Sequence, residues 1–405
     1  MEQKRLIEIE KILTKARFKF AIKCLYRLML LKPKNDIAFS PHSMYEGLLS
    51  VYFMSSGEIE TYLKRTLYLS DVCKYDLIQY YSSRKDFEQL ENNASVASTD
   101  SDDARGCWIK ATKFNHPLPL KNIFNNGFEV FDPDYTPIEK MDRINMAIQN
   151  AVKNHMSNPM KLKVVRNDME LVLMTVSRLE QKFQISTTCQ FDASNVSNLR
   201  DKRKGNSFFS HELNMHVSEF PYTNENRSLY VFLPGSIISG DFSMRRFPIF
   251  QDVCALIERL STQDAICKLR NLLDSDTPSK NVTQFSIGPI FHLEKDVPMR
   301  GLLRDLGVKE LLKPDAINLE RLFVNNDSVH LGNAMHRINV KVTEEDTVAG
   351  AVTVIHTGQE TPRNYTQNIL NYNLPFVWLI YDKQRRDILF AGAFNKFDRR
   401  SPSPV

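Results

Sequence analysis

Hydrophobic positions recur with two different periods, and the change from one to the other divides the chain. In the first hundred residues apolar side chains return at helical spacing, as Ile9, Leu13 and Phe20 do. Residues 43–54, 57–68 and 144–156 carry patterns of the same kind. These patterns predict that the chain begins mainly with helices.

Strand patterns dominate the later part of the chain. Residues 169–179 form an apolar run typical of a strand buried on both faces, and residues 336–345 alternate with period two. Two hairpins are predicted, one pairing 213–222 with 228–235 and the other pairing 376–382 with 387–395. A polar surface loop is predicted over 91–106 and a short helix over 297–308. Helices followed by strands predict an α+β fold with large antiparallel or mixed sheets.

Composition agrees with a soluble globular protein. The chain has 405 residues, of which 42% are hydrophobic and 25% charged, so a single large core can form. The net charge of +5 is too small to indicate nucleic acid. One basic run is either a solvated turn or a patch for a polyanion such as a glycosaminoglycan; it contains Arg200, Lys202, Arg203 and Lys204.

The sequence gives no positive reason to predict an enzyme. It has no phosphate-binding glycine motif, no metalloprotease motif and no nucleophile elbow, and its nine histidines lack partners at ligand spacing. We therefore expect no cofactor and no metal. The six cysteines are scattered, which favours free thiols over a disulfide framework, although one or two bridges remain an alternative.

The N-terminal segment predicts an amphipathic helix. Lys19, Lys23 and Arg27 interrupt its apolar positions, so it resembles neither a signal peptide nor a membrane span, and no membrane partner is expected. Six glycosylation sequons favour an extracellular glycoprotein, with a cytoplasmic location as the alternative. Their asparagines are Asn93, Asn195, Asn226, Asn281, Asn326 and Asn364.

Several segments, in order over residues 35–397, resemble the serpin family. The match begins with Phe-Ser-Pro-His-Ser at 39–43 and continues with the strand and helix of 285–312. It includes residues 334–351, which resemble the strand leading into the serpin reactive loop, and the Pro-Phe and Ile-Leu-Phe-Ala-Gly signature within 373–395. The resemblance implies one monomeric domain over 1–405, with helices packed on three β-sheets, an exposed reactive loop at about 344–370 and an N-terminal helical extension at about 1–17.

The resemblance also implies a function. A serpin reactive loop is cleaved by a target serine protease and then inserts into the central sheet, so the leading hypothesis is a suicide-substrate inhibitor. One alternative is a non-inhibitory serpin acting as a carrier, storage or binding protein, and another is an intracellular binding protein unrelated to proteases. The residues of the inserting hinge would be Glu344, Glu345, Asp346, Thr347, Val348, Ala349, Gly350, Ala351, Val352 and Thr353.

The hinge has the side chains that insertion requires. Alternate residues of a strand face opposite sides, and one set here is uniformly small: Thr347, Ala349, Ala351 and Thr353. Small residues can enter a packed sheet without overpacking it, which would cost on the order of 1–3 kcal/mol per site. The other set, with Val348 and Val352, suits an exposed strand face.

The remaining site residues follow the family pattern less closely. A polar sheet-opening cluster is predicted at Ser40, Ser43, Thr175 and His336, with Thr175 standing where serpins have asparagine. Asp346 replaces a glycine, and Phe183 replaces a tryptophan. Two ways of counting place the scissile bond near Glu360 and Thr361 or near Asn364. Between them lies Arg363, the preferred candidate, which would suit a trypsin-like protease.

Overall fold

A computed structural model of the chain describes most, but not all, of its 405 residues. The described residues are 2–92, 103–110, 128–132, 134–153, 156, 171–184, 205–234, 253–275, 289–312, 333–356, 366–370 and 375–394.

Eight α-helices lie in the described part of the chain, four of them before residue 93 as the early periodicity predicts. They are α1 (Glu2–Leu31), α2 (Pro41–Met54), α3 (Gly57–Thr66), α4 (Lys74–Asn92), α5 (Pro137–Ala151), α6 (Val253–Leu260), α7 (Gln263–Asp274) and α8 (Met299–Asp305). A 3₁₀ turn, Lys309–Leu312, follows α8. The span expected to be an N-terminal extension is continuous with the rest of α1, in which Leu13 and Ala16 are buried.

Helix starts are fixed by local capping. Ser40 caps α2, where its Oγ accepts from the backbone N–H of Ser43, and Pro41 occupies the first turn. Thr136 and Glu139 form a reciprocal capping box at the start of α5. These caps set where α2 and α5 begin, and both helices pack on the sheet that carries the site.

The strands confirm most of the sequence pattern. They are β1 (Ile37–Phe39), β2 (Asp103–Lys110), β3 (Phe128–Phe131), β4 (Leu171–Lys182), β5 (Asn206–Ser210), β6 (Met215–Pro221), β7 (Arg227–Pro234), β8 (Phe291–Val297), β9 (Asn333–Val342), β10 (Asp346–His356), β11 (Thr366–Leu370), β12 (Phe376–Asp382) and β13 (Asp387–Phe394). The predicted hairpins are β6–β7 and β12–β13. The surface loop predicted to run to residue 106 ends earlier, because β2 begins at Asp103.

The strands form two sheets. The smaller has six strands in the order β1-β13-β12-β7-β6-β5, and the larger has seven in the order β11-β8-β9-β10-β4-β2-β3. All pairs are antiparallel except β2 with β3. The resemblance implies three sheets, and the described residues account for two.

The core has three parts, and two of them cover the faces of the seven-stranded sheet. Between the sheets lie Leu179, Ile338 and Ala351 of the larger sheet with Trp378 and Phe390 of the smaller. On the opposite face, α5 covers the larger sheet. The largest cluster joins the other helices to the six-stranded sheet. The central strands of the larger sheet are therefore buried on both faces.

The described cysteines form no disulfide, as the scattered spacing favours. Cys24 and Cys107 are buried, Cys254 is half-buried, and Cys73 and Cys267 are exposed. Burial raises the pKa of the Cys24 and Cys107 thiols. Among the described helices, none is long and apolar enough to cross a membrane.

Candidate reactive strand and sheet-opening cluster

The predicted hinge lies at the centre of the seven-stranded sheet. β10 pairs in register with β4 over eleven residue pairs and with β9 over ten. Every residue from Ala349 to His356 is buried. The resemblance placed this segment in an exposed loop, but here it is a central strand, hydrogen-bonded along both edges.

The small set of the hinge faces the other sheet. Thr347, Ala349 and Ala351 have no exposed surface, and Thr353 is 1% exposed. Ala349 and Ala351 pack in the core between the sheets with Leu179 and Ile338. The compact side chains therefore occupy the inward positions that the sequence assigns to them.

The other set is not an exposed face, which corrects the expectation from sequence. Val352 and Val354 have no exposed surface and pack in the cluster beneath α5. A Cβ on Gly350 would meet Val152 at 3.5 Å. Sequence period alone could not reveal this burial, because it depends on a helix that lies some two hundred residues earlier in the chain.

The turn before β10 is held by Thr343. Its backbone N–H donates to the Asp346 carbonyl at 2.9 Å, and its Oγ1 accepts from the Asp346 backbone N–H at 3.0 Å. Glu344 and Glu345 are exposed at this turn. Asp346 therefore closes a tight hairpin between β9 and β10.

An aromatic stack packs at the N-terminal end of β10. Phe183 stacks on Tyr222 with ring centroids 4.8 Å apart. The Tyr222 hydroxyl lies 3.0 Å from Thr347 Oγ1 and donates to it. The Phe183 backbone N–H donates to the Glu345 carbonyl at 2.8 Å. The position where the family has tryptophan is thus filled by a smaller ring, and Phe183 is linked to the start of the strand through Tyr222 and through its own backbone N–H.

The predicted sheet-opening cluster is brought together, with Thr353 as a fifth member that sequence reasoning did not assign to it. Ser43 Oγ lies 3.1 Å from the Thr175 carbonyl and 2.9 Å from Thr353 Oγ1. Thr175 Oγ1 donates to the Ser43 carbonyl at 2.7 Å, and Ser40 Oγ donates to the Leu389 carbonyl at 2.7 Å. Helix α2, strand β4 and strand β10 meet at this point.

His336 completes the network in one tautomer. The Ser40 backbone N–H donates to His336 Nε2 at 3.0 Å, so Nε2 carries no proton. Nδ1 therefore carries it and donates to Thr353 Oγ1 at 2.8 Å. Complete burial lowers the pKa of His336 to about 3, which keeps the ring neutral. The hydroxyl of Thr353 can then donate onward to Ser43 Oγ.

Thr353 joins the sheet-opening cluster only because β10 is in the sheet. Its hydroxyl links His336 of β9 to Ser43 of α2. The sequence signal was a polar residue at an inward position, where an alanine would have sufficed for packing. Its partners could be known only from the register of three strands.

Gly47 of α2 leaves the space that Thr353 fills. A Cβ at this position would lie 3.2 Å from both Thr175 Oγ1 and Thr353 Cγ2. That distance is tighter than ordinary contact, and the atoms it meets are on β-branched side chains with little freedom.

We expect Gly47→Val to destabilise the chain by about 1–3 kcal/mol through overpacking against β4 and β10. Gly47→Ala is the matched control, because its gain of about 1 kcal/mol in helix propensity offsets a single tight methyl contact. Urea denaturation of both variants measures the difference. If the valine variant were as stable as the alanine variant, or more stable, the space at Gly47 would not limit packing.

A charged cluster around His42, which we call the His42 node, adjoins the sheet-opening cluster. His42 Nδ1 lies 2.6 Å from Asp387 and Nε2 lies 3.2 Å from Asp103. Although burial acts to lower it, the two carboxylates raise the pKa of His42 to about 10, so the ring is a cation donating from both nitrogens. Arg385 also pairs with Asp103 at 2.6 Å. Sequence reasoning missed this node, whose members come from α2, β2, the β12–β13 turn and the first residue of β13.

A second buried carboxylate ties β2 to the helices. Glu46 accepts from Arg17 and Tyr81 at 2.9 Å and 3.1 Å and also pairs with Arg105. Despite the opposing effect of burial, the arginines lower the pKa of Glu46 to about 2. Four elements, α1, α2, α4 and β2, are thus joined by one hydrogen-bonded charge cluster beside the sheet-opening cluster.

The chain returns along the edge of the same sheet after β10. β11 pairs antiparallel with β8, which is two places from β10. Thr366, the first residue of β11, pairs with Lys295, and the register continues through Ile338 to Ala351. β11 therefore begins level with the middle of β10, five residues short of His356, and runs back in the opposite direction. The two ends of the predicted reactive loop are therefore both strands of one sheet.

The candidate cleavage residues cannot be placed. Glu360, Thr361, Arg363 and Asn364 lie outside the described residues, as do Arg200, Lys202, Arg203 and Lys204 of the basic run. Their assignments remain predictions from sequence.

Comparison with known proteins decides the family. The family model described as serpin (serine protease inhibitor) matches residues 15–397. The chain is a serpin. This serpin is similar to serine protease inhibitor 88Ea of Drosophila melanogaster, with 22% identity covering 94% of this chain and 90% of that one. It is also similar to human serpin B5, with 21% identity covering 93% and 96%.

Solved structures agree on the fold of this serpin. A cleaved serpin 42Da superposes with a TM-score of 0.70 at 15% identity and covers 98% of this chain and 100% of that one. The latent state of tengpin, a thermophilic serpin, superposes with a TM-score of 0.65 at 17% identity, covering 96% and 98%. The resemblance found in the sequence is thus confirmed at the level of family and fold.

Proposed function

We propose that this serpin inhibits a serine-type endopeptidase as a suicide substrate, by inserting its reactive loop into the seven-stranded sheet. The observation that carries the proposal is the place of β10, which is paired on both edges with its compact residues inward. A tract that fits this position can move a protease attached beyond His356 along the length of the sheet. Ten steps of about 3.3 Å span roughly 33 Å.

The relatives support the class of target without naming it. One is called serine protease inhibitor 88Ea, and another, from human, is called plasminogen activator inhibitor 2 and is 22% identical over 93% of this chain. The protease supplies the catalytic nucleophile, and this chain supplies a substrate segment and a strand that can insert. In this proposal Arg363 is the residue offered to a trypsin-like pocket.

The experiment is incubation with a panel of serine proteases that includes trypsin-like ones. We expect an adduct that survives SDS, with the mass of the protease added to that of the 46.9 kDa chain minus the released C-terminal fragment. The Arg363→Ala variant should lose the adduct with trypsin-like proteases. Mass spectrometry of the released fragment would distinguish Arg363 from Glu360, Thr361 and Asn364.

A non-inhibitory serpin, acting as a carrier or binding protein, is the second candidate. The observation that favours it is the turn at Thr343–Asp346, where an aspartate held by several hydrogen bonds replaces the glycine of the family pattern. A rigid turn slows the entry of the strand. Cleavage of the loop by every protease in the panel, with no adduct, would select this candidate over inhibition.

An extracellular location is proposed with the function. Among the sequon asparagines, Asn226 lies in the described residues, on an exposed turn between β6 and β7. A glycan fits at such a position. Treatment of the protein from its natural source with an endoglycosidase should lower its apparent mass, and no shift would favour the cytoplasmic alternative.

The proposed polyanion contact at Arg200, Lys202, Arg203 and Lys204 would be tested by neutralising that run.

A further inference from the structure

Two charged residues of β2 meet opposite charges on α2. Asp103 Oδ2 lies 3.2 Å from His42 Nε2, and Arg105 pairs with Glu46. The strand residues are two positions apart, a separation of about 6.6 Å, and the helix residues are four positions apart, about 6 Å. Because the two spacings match, both pairs form side by side. We name these four residues the charge latch.

The α2 members of the charge latch have further partners that do not come from β2. His42 Nδ1 lies 2.6 Å from Asp387 of β13, and Glu46 accepts from Arg17 of α1 at 2.9 Å. If β2 moved away, neither would become an unpaired buried charge, which is the costly case. The β2 members have side chains that are 27% and 21% exposed, so water can solvate them. The charge latch can therefore open without leaving a charge unpaired in the core.

Strand β10 divides the seven-stranded sheet into two flanks. β4, β2 and β3 form the β2 flank, and β9, β8 and β11 form the β8 flank. Without β10, the facing edges of β4 and β9 have unpaired backbone groups. These edges can pair with each other only if the flanks approach by one strand spacing, about 4.8 Å. The place of β2 therefore depends on whether β10 is in the sheet.

The β8 flank is fixed to the smaller sheet by packed rings. The ring centroid of Phe291 in β8 lies 5.3 Å from that of Trp378 and 5.0 Å from that of Phe394. Most residues of the larger sheet in this core cluster come from β8 and β9, such as Ile338, whereas β4 contributes Leu179. Close-packed side chains resist displacement, so the β8 flank stays with the smaller sheet.

Helix α2 is fixed to the smaller sheet as well. Ser40 Oγ donates to the Leu389 carbonyl of β13 at 2.7 Å, and His42 pairs with Asp387 of the same strand. The flanks therefore approach by a movement of the β2 flank, with α5 packed on it, across α2. Apolar contacts can form again after such a shift, because they are not directional. An ion pair between atoms 3.2 Å apart is broken by a shift of about 4.8 Å, since its hydrogen bond needs contact.

We propose that Asp103 and Arg105 are positioning residues for β10, whose pairs with α2 form only when the flanks stand far enough apart to hold a strand between them. The inference rests on the part of the proposed function in which β10 enters the sheet, and it does not require a protease. Asp103 lies level with Ala351, at the middle of β10. The charge latch thus closes as the strand enters and opposes its exit.

The test compares the full chain with a variant whose β10 is kept outside the sheet. Ala349→Gln with Ala351→Gln, the strand-out variant, adds two amides at fully buried positions, which overpacks the core between the sheets. The amides carry no charge and do not act on the charge latch directly. Hydrogen exchange over 346–356 shows that the strand has left.

In each background the charge latch is neutralised by Asp103→Asn with Arg105→Gln. The single variant Asp103→Asn repeats the comparison with a smaller change, in case the pair of substitutions prevents folding. Glu219→Gln is the matched control, because Glu219 is buried and accepts from Ser228 and Tyr230 within the smaller sheet. It should weaken both backgrounds equally.

We expect neutralising the charge latch to raise the equilibrium constant for unfolding about tenfold to a hundredfold in the wild-type background, measured by urea denaturation. In the strand-out background the increase should be less than about threefold, because the pairs are already broken there. Equal increases in the two backgrounds would overturn the proposal while leaving the proposed insertion intact. Slow exchange over 346–356 in the strand-out variant would instead contradict the entry of β10 on which the inference rests.

Discussion

The variant Ala351→Glu is expected to expel β10 from the seven-stranded sheet. Ala351 has no exposed surface and packs between the sheets, in the same core cluster as Leu179 and Ile338. An ionised carboxylate without a partner in such a place costs several kcal/mol, on the order of 3–5. Hydrogen exchange measured over 346–356 should therefore become at least about 100-fold faster than in wild type.

The matched control for this prediction is Val348→Glu. It adds the same charge to the same strand, three residues away, but at a half-buried position on the other face. Its exchange should stay close to that of wild type. In the protease assay, molecules that carry Ala351→Glu and whose loop is outside the sheet should be cut without forming an adduct, because the strand cannot follow. Persistent protection over 346–356 in this variant would show that β10 does not depend on compact inward residues.

The second large effect expected is a dependence of stability on pH to which the buried side chain of His336 contributes. The folded chain holds this side chain neutral with a pKa of about 3, whereas the unfolded chain binds a proton below the ordinary value of 6.5. Between these values the unfolded state carries one more proton, so the stability contributed by His336 is present above pH 6.5 and declines as the pH falls. One proton amounts to about 1.4 kcal/mol per pH unit, or about 2–3 kcal/mol from pH 6.5 to 4.5.

His42 does not mask this effect. The carboxylates around it raise its pKa to about 10, so its stabilisation is complete below pH 6.5 and is lost only as the pH rises toward 10. We expect His336→Gln to flatten the fall in the free energy of unfolding between pH 6.5 and 4.5, measured by urea denaturation. His211→Gln, at an exposed turn, is the control and should keep the slope. If the free energy of unfolding fell equally with pH in wild type and in His336→Gln, the low pKa assigned to His336 would be contradicted.

Much of the fold follows from local pattern. The apolar run of β4 predicts a strand buried on both faces, and that strand is buried from Leu171 to Leu179. The hairpins β6–β7 and β12–β13 follow from alternating runs with a turn between them. In each case the information lies within a few neighbouring residues, where period and turn chemistry act.

The site was predictable only in part, because its members meet through long-range pairing. Ser40, Ser43, Thr175 and His336 could be grouped from the family pattern, and they do meet. Thr353 could not be added to them, since its place depends on the register of β10 against β9. The node around His42 was missed for a similar reason, as Asp103 and Asp387 are distant in sequence and neither pattern nor spacing relates them.

The location of β10 and β11 has a practical consequence for anyone who measures this protein. A molecule whose residues 346–356 and 366–370 are strands of one sheet presents neither segment to a protease cleft, although its covalent chain is intact. Electrophoresis and mass determination would not distinguish such molecules from active inhibitor. Titration against a known amount of protease would distinguish them, so the concentration of active protein has to be taken from the titration.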